Sequence, residues 1–232
     1  MRIIVFDTET TGLPKTKFIN PDTLNKWPHI VQFSYVIYDT DLNEIVEVND
    51  YIIKMNENVI IPQDSINIHK ITNEISQEKG LKIDIILNKF MEDLNSSDML
   101  VGHNILFDIN MVKVELLRLI YEKDLQTSEK SMKSYKDNLY LLTNYKNIYC
   151  TLKESIELCN IKILDKYGKE YLKYPKLIEL HYKLFNTNPN NLHNALNDIL
   201  VTLRCFMKLK YNTDLNDICN KFQNMSQEIQ LL

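Results

Sequence analysis

Five residues in three separated segments have types and spacings that could do chemistry. Asp7 and Glu9 stand two positions apart at the end of a short apolar run, and in an extended chain that spacing sends both carboxylates to one face. Asp108 closes the segment Gly102-His103-Asn104-Ile105-Leu106-Phe107-Asp108, which follows a second apolar run. His193 and Asp198 frame His193-Asn194-Ala195-Leu196-Asn197-Asp198. Ligands of open α/β sheets gather at the carboxyl ends of strands, where carboxylates can hold hard cations. An imidazole with an ordinary pKa of about 6.5 can take a proton near neutral pH. Each segment also has an ordinary explanation: a solvated strand end for Asp7 and Glu9, a dipole-favoured helix start for Asp108, a structural histidine for His193.

The elements that must position these residues are legible in the hydrophobic pattern. Arg2–Asp7 reads as a buried strand, rich in β-branched residues. Ile30–Asp39 and Glu44–Lys54 are two more strands joined by a turn at Thr40–Asn43, so the chain opens with a meander. Pro62 and Asp64–Ser76 read as a connection with short helical turns, and Lys82–Leu94 as an amphipathic helix. Asp98–Gly102 is a short strand leading into a helix over Phe107–Tyr121, and Ile148–Thr151 a fifth strand with a helix from Leu152. Helices follow at Pro175–Phe185, Leu192–Leu209 and Leu215–Met225.

On a single helix, five residues at about 100° each would set His193 roughly 140° away from Asp198. The two share a site only if His193 lies at the helix entry, and the Asn-rich run Asn188–Asn191 is suitable loop and cap material. A meander followed by strand–helix alternation indicates an α/β domain with a mixed sheet covered by helices. One domain is expected over residues 1–210, with 211–232 as a helix and tail packed on it. The polar stretch Glu122–Lys146 reads as a surface insertion or mobile loop. Its lysines Lys123, Lys130, Lys133, Lys136 and Lys146 could reach a nucleic-acid backbone, although a solvated surface loop is the better reading of them.

Composition narrows the classes. The chain has 232 residues, 44% hydrophobic and 25% charged, which suits a globular protein with a substantial core. Asn is abundant at 26 residues, against 4 Gly and a single Ala, Ala195. Such a bias excludes collagen-like, Pro/Gly-rich and coiled-coil chains. No apolar run approaches the roughly 18 residues of a membrane span, and no signal-peptide pattern opens the chain, so an intracellular protein without a membrane association is expected. Cys150, Cys159, Cys205 and Cys219 have no zinc-like spacing and read as reduced thiols. The net charge is -4, with the acid concentrated in the first half. That argues against a protein that coats DNA through a basic face.

Together the three segments resemble the motifs of the DEDDh 3′–5′ exonuclease family, which includes proofreading subunits of DNA polymerases and RNase T-like enzymes. The first is Phe6-Asp7-Thr8-Glu9-Thr10-Thr11-Gly12-Leu13-Pro14, the second Val101-Gly102-His103-Asn104 with Phe107-Asp108, and the third His193, Ala195 and Asp198. Pro28-His29-Ile30-Val31-Gln32 and Ile68-His69-Lys70-Ile71-Thr72 resemble two further landmarks in the same order. The resemblance spans residues 1–210. It departs from the family at Cys150-Thr151, where Asp-Thr is usual, and in the length of Glu122–Lys146.

The resemblance implies an RNase H-like α/β fold with a five-stranded mixed sheet, and metal-dependent release of 5′-mononucleotides from nucleic-acid 3′ ends. Its cofactors would be two divalent cations, Mg²⁺ or Mn²⁺, since all-oxygen ligation suits these ions. Asp7 would bridge both ions, Glu9 and Asp198 would serve the ion on the nucleophile side, and Asp108 the other. His193 would be the general base. Leu13 would wedge against the terminal base, with Thr10, Thr11 and Gly12 meeting the 3′ end and Phe107 lining the pocket. His103 and Asn104 would either touch the substrate or brace their loop. Single-stranded DNA is the first substrate choice, in a proofreading or repair setting, and RNA the second. A catalytically inactive binding module on the same fold is the rival from another class. The family admits a polymerase partner, although the last twenty residues contain no recognisable docking tail.

Overall fold

Four consecutive apolar residues, Ile3 to Phe6, need cover on both faces, which only the middle of a sheet provides. The computed structural model, which describes residues 1–121 and 128–231, puts them there. Its main sheet has five strands: β1 (Arg2–Thr10), β2 (Ile30–Asp39), β3 (Glu44–Ile52), β4 (Met99–Gly102) and β5 (Ile148–Cys150). Their order is β3-β2-β1-β4-β5. β1 to β3 form the antiparallel meander, while β4 lies parallel to β1, with Val5 opposite Val101, and β5 parallel to β4. This is the expected RNase H-like mixed α/β sheet. The parallel step matters for the site, because it brings the carboxyl ends of β1 and β4 to the same edge of the molecule.

Between β3 and β4 run α1 (Gln63–His69), α2 (Asn73–Lys79) and α3 (Ile83–Asn95), and after β4 come α4 (Leu106–Tyr121) and α5 (Glu129–Asn144). Beyond β5 follow the single turns α6 (Thr151–Glu154) and α7 (Ile156–Cys159). A separate antiparallel ribbon, β6 (Lys162–Leu164) with β7 (Glu170–Leu172), precedes α8 (Leu177–Phe185). The long α9 (Ala195–Tyr211), α10 (Leu215–Ile218) and α11 (Asn220–Glu228) close the chain.

Side-chain alternation along β1 builds two cores. Ile4 and Phe6 face α3 and α4, where Phe6, Phe33 and Phe90 form an aromatic cluster with centroids 4.9–5.9 Å apart. Ile3 and Val5 face the other side, packing with Leu203 and Phe206 of α9 and with Leu215 and Phe222 of α10 and α11. Among the described residues no helix is long and apolar enough to cross a membrane. Cys150, Cys159, Cys205 and Cys219 are free thiols, three of them buried.

Two expectations are corrected, and one feature was not expected. Residues 129–144 are not a loop but the helix α5, which buries Tyr135 and Leu142 against α3 and α4. Asn88 of α3 also accepts hydrogen bonds from Ser134 and Asn138. The loop reading failed because α5 is polar over most of its surface and carries its apolar contacts on a narrow stripe; Lys123 lies outside the described residues. The predicted helix Leu215–Met225 is broken into two at Cys219, whose backbone is extended. The ribbon β6–β7 had no counterpart in the sequence reading, since its strands are three residues long and bury little.

Candidate active site

Alternation along β1 continues past the core into polar residues, and it sorts them between the two faces. Asp7 and Glu9 follow Ile3 and Val5 toward α9, while Thr8 follows Ile4 and Phe6 toward α4. On the α9 side, one carboxylate oxygen each from Asp7, Glu9 and Asp198 lie within 4.8 Å of one another. On the α4 side, Asp108 Oδ1 accepts both the backbone N–H and the hydroxyl of Thr8, at 3.0 and 2.7 Å. A bulge between Glu9 and Thr10 ends the regular pairing with β2 at this point, which is a common way for a sheet to re-aim side chains at a site.

Asp198 reaches the cluster because α9 begins where it does. Asn194 caps the helix by accepting the Leu196 N–H at 3.2 Å, which leaves Asp198 in the first turn and His193 just outside. Gln32 of β2 ties down the same end, its Oε1 accepting the Ala195 N–H at 3.3 Å. His193 sits on left-handed backbone at φ 70° and its ring is exposed. Its N–H donates to Asp198 Oδ2 at 3.3 Å. The loop before it is held to the chain end: Asn190 N–H donates to Leu231 O at 2.8 Å and Asn191 Nδ2 to Ile229 O at 3.1 Å.

The electrostatics of the cluster are those of crowded carboxylates. Burial pushes Asp7 up to about 7, and burial together with Asp7 pushes Glu9 up to about 8. Asp198 is raised by burial, by Asp7 and by Glu9. Asp108 is raised by burial and by Asp7, against the two Thr8 hydrogen bonds, which hold it down. Like charges at such range take up protons or recruit a cation. The donor set is oxygen throughout, and Asp198 Oδ1 is buried without a hydrogen-bond partner. Both features fit a hard divalent cation held by Asp7, Glu9 and Asp198.

The remaining sequence-selected residues are distributed around this cluster. Leu13 is 81% exposed, the condition a wedging side chain requires. Thr10 Oγ1 donates to Gly12 O at 2.7 Å, and Thr11 exchanges bonds with His29, its N–H to His29 O and its Oγ1 from His29 N–H, both at 2.9 Å. Gly12 takes φ +146°, a conformation that suits glycine. Gly102 is needed for a different reason: a Cβ there would lie 3.0 Å from Ile105 Cβ and 3.3 Å from the Phe6 carbonyl. Phe107 is half-buried, and Asn104 is exposed on left-handed backbone at φ 65°. His103 braces its loop: Nε2 donates to Pro175 O and Nδ1 accepts from Thr151 Oγ1, both at 3.0 Å. Burial lowers its pKa to about 4, so the ring is neutral. Thr151, the residue after the family's missing Asp, therefore serves the second motif directly.

Two groups that hold the site were not singled out from sequence as such. Arg118 of α4 donates to the carbonyls of Leu24, Trp27 and Pro28 and to Glu115, fixing the approach to β2. On the other face, Arg204 of α9 pairs with Asp214 at 2.7 Å and donates to His181 Nε2 at 3.0 Å. Their signal was present in composition, since they are two of only three arginines in a chain with abundant lysine. A planar five-donor guanidinium does what lysine cannot at a buried junction.

The sequence profile of the RNase T family, an exonuclease family, matches residues 4–206. The chain belongs to the RNase T exonuclease family. The fold of this exonuclease-family chain is similar to that of solved exonucleases I. For the enzyme from Methylocaldum szegediense the TM-score is 0.57 at 18% identity, covering 93% of this chain and 42% of that one. For E. coli exonuclease I in complex with a dT13 oligonucleotide it is 0.59 at 16% identity, covering 89% and 41%. A zinc-bound form of the E. coli enzyme with single-stranded DNA gives 0.54 at 16%, covering 91% and 41%. The chain thus spans about two fifths of the length of these structures. A local likeness of 31% over 87 residues links it to the Mediator of RNA polymerase II transcription subunit 14 of Scheffersomyces stipitis, covering 38% of this chain and 8% of that protein. That segment is too short to bear on family or function.

Proposed function

We propose that this RNase T-family chain is a metal-dependent 3′–5′ exonuclease acting on single-stranded DNA ends. The observation that carries the reading is the convergence of Asp7, Glu9 and Asp198 at the carboxyl end of the central strand, with Asp108 alongside. Mg²⁺ or Mn²⁺ ions held there would orient and acidify the attacking water and neutralise the leaving 3′ oxygen. The chain's own residues would do the rest. His193, exposed and outside the helix, takes the proton of the attacking water on a ring nitrogen. As the water oxygen bonds to phosphorus, the bond from phosphorus to the 3′ oxygen breaks and a 5′-mononucleotide leaves. Leu13 would lie against the terminal base, with the Thr10–Gly12 backbone at the 3′ hydroxyl. Stacking of this kind tolerates any base, as end degradation requires. The oligothymidylate-bound E. coli relative supports DNA as the substrate; proofreading or repair is the setting we propose for it.

The test is a 5′-labelled strand of DNA or RNA, single- or double-stranded, incubated with Mg²⁺, Mn²⁺ or EDTA. A descending ladder on single-stranded DNA that needs metal, is abolished in Asp7→Ala and is slowed about 10²–10⁴-fold in His193→Ala supports the reading. A ladder on RNA alone would move the substrate to RNA trimming. No ladder on any strand overturns the enzyme assignment and leaves a binding module.

A further inference from the structure

The ribbon β6–β7 is hard to explain as part of the core. A two-stranded ribbon is marginal by itself, and this one leaves its large side chains in water. Leu164 is 67% exposed, Tyr167 81%, Tyr171 48% and Tyr174 62%. The same stretch, residues 161–176, carries Lys162, Lys166, Lys169, Lys173 and Lys176 against Asp165 and Glu170, a net +3 in a chain of net -4. Lys162 pairs with Glu170, and Lys173 with Glu179. Among the described residues Lys166, Lys169 and Lys176 have no ion-pair partner. Asp165 is spent on the turn, its Oδ1 accepting the N–H groups of Tyr167 and Lys169 at 2.8 and 2.9 Å. The tip therefore offers two lysines and an exposed aromatic ring, with Lys166 Nζ over the Tyr167 ring 4.9 Å from its centroid.

The ribbon is also joined to the active site. Its exit passes through Pro175, whose carbonyl accepts from His103 of the second motif. A cleft of about 600 Å³ at its root is bordered by Ile161 on the ribbon side and by Asn186 and Asn188 on the loop that leads to His193. Tyr182 and Lys183 add a further ring and cation to that cleft.

We infer that the ribbon is a nucleic-acid arm: Tyr167, Tyr171 and Tyr174 stack on bases, and Lys166 and Lys169 meet phosphates, of the strand whose 3′ end lies in the active site. Exposed rings between lysines match single-stranded nucleic acid better than an apolar protein partner, because each ring supplies a sequence-tolerant stacking face and each lysine a phosphate contact. The inference rests on the proposed exonuclease function, and the experiment separates the two.

Binding of a fluorescein-labelled long oligothymidylate is followed by anisotropy in EDTA, and hydrolysis of the same strand and of a thymidine dinucleotide is followed with Mg²⁺. Tyr167→Ala with Tyr171→Ala should weaken binding of the long strand by at least about tenfold. Hydrolysis of the dinucleotide, which has no further strand for the ribbon to hold, should be unchanged. The double Phe variant should bind as the wild type does, because stacking needs the ring and not the hydroxyl. Lys166→Ala with Lys169→Ala should lower the log–log salt slope by about 1.4, at roughly 0.7 per contact to a single strand. Wild-type binding and an unchanged slope in these variants, with melting temperatures retained, overturn the arm. A wild type that binds the strand through the ribbon yet cuts neither substrate keeps the arm and overturns the exonuclease. A wild type that neither binds nor cuts overturns both.

Discussion

Thr8 donates its backbone N–H and its hydroxyl to the same oxygen of Asp108, at 3.0 and 2.7 Å, so that one carboxylate oxygen is fully engaged and the other is left for a ligand. The pair joins β1 to α4 across the end of the sheet. It also works against burial and Asp7, which together raise the Asp108 carboxyl above its ordinary range. Replacing Thr8 by Val keeps the shape and removes the hydroxyl. Outer-shell partners of this kind are typically worth 10–100-fold in metal affinity or activity. Thr8→Val should therefore raise the Mg²⁺ concentration for half-maximal rate by about that factor, and Thr8→Ser should restore it. A metal titration of the rate with all three proteins would expose an inert Thr8.

Gln32 stands between two elements that have to agree. Its Oε1 receives the Ala195 N–H and its Nε2 donates to Asp50 at 2.8 Å. Leu at this position would leave a buried N–H at the start of α9 unpaired, a cost of about 1–3 kcal/mol. Because Asp198 lies in that first turn, Gln32→Leu should lower the rate as well as the melting temperature. Steady-state kinetics beside calorimetry will tell: a lowered melting temperature with an unchanged rate removes Gln32 from the site's support.

Glu115 and Arg118 form a buried ion pair at 2.7 Å, and Glu115 also accepts the Ile30 N–H at 3.2 Å. Removing one partner of such a pair costs about 3–5 kcal/mol, because the other charge stays buried. For a domain of this size Glu115→Ala should lower the melting temperature by about 10 °C. Glu115→Gln, which keeps an acceptor, should cost less. Equal losses in the two variants would contradict the ion-pair account.

The crowded carboxylates set a pH dependence whose sign can be worked out. Asp7 and Glu9 have folded-state values near 7 and 8, well above the unfolded range near 4, so the metal-free native state binds more protons between those limits. Stability in EDTA should then fall as pH rises from about 6.5 to 8. The lowered His103 and His181 act oppositely, but only below about 6.5, where an unfolded imidazole begins to charge. Mg²⁺ competes with the same protons, so the rise in melting temperature that it causes should grow over the interval in which the metal-free protein weakens. Melting curves with EDTA and with Mg²⁺ across this range provide the check. A metal effect independent of pH would mean that these carboxylates are not its ligands.

Much of the architecture was legible because it rests on local rules. The run Ile3–Phe6 demanded a central strand, and the spacing of Asp7 and Glu9 demanded a shared face; the sheet honours both. That His193 must lie at the entry of α9 and Asp198 inside it was readable, but the capping material was expected at Asn188–Asn191 and the helix from Leu192, whereas Asn194 caps a helix that starts at Ala195. Other parts left no such trace. The helix α5 is held by Asn88 and by Tyr135 and Leu142 meeting α3 and α4, and a polar sequence does not declare contacts it makes at long range. Cys219 interrupts a sequence whose Leu215, Cys219 and Phe222 are spaced as on one continuous helix.

Residue order alone thus singled out the groups proposed to act: the carboxylates and the histidine lie in short segments whose periodicity places them at strand ends and helix starts. Only the folded chain decided how they meet. The parallel pairing of β1 with β4 and the packing of α9 across β1 bring together residues separated by 100 to 191 positions, as in Thr8 with Asp108 and Asp7 with Asp198. Tertiary packing likewise tied His103 to Thr151 and Pro175 and exposed the lysine–tyrosine ribbon. The reason is physical: periodicity reports the face on which a side chain lies, whereas the partner across that face is chosen by burial and hydrogen bonding over the whole chain.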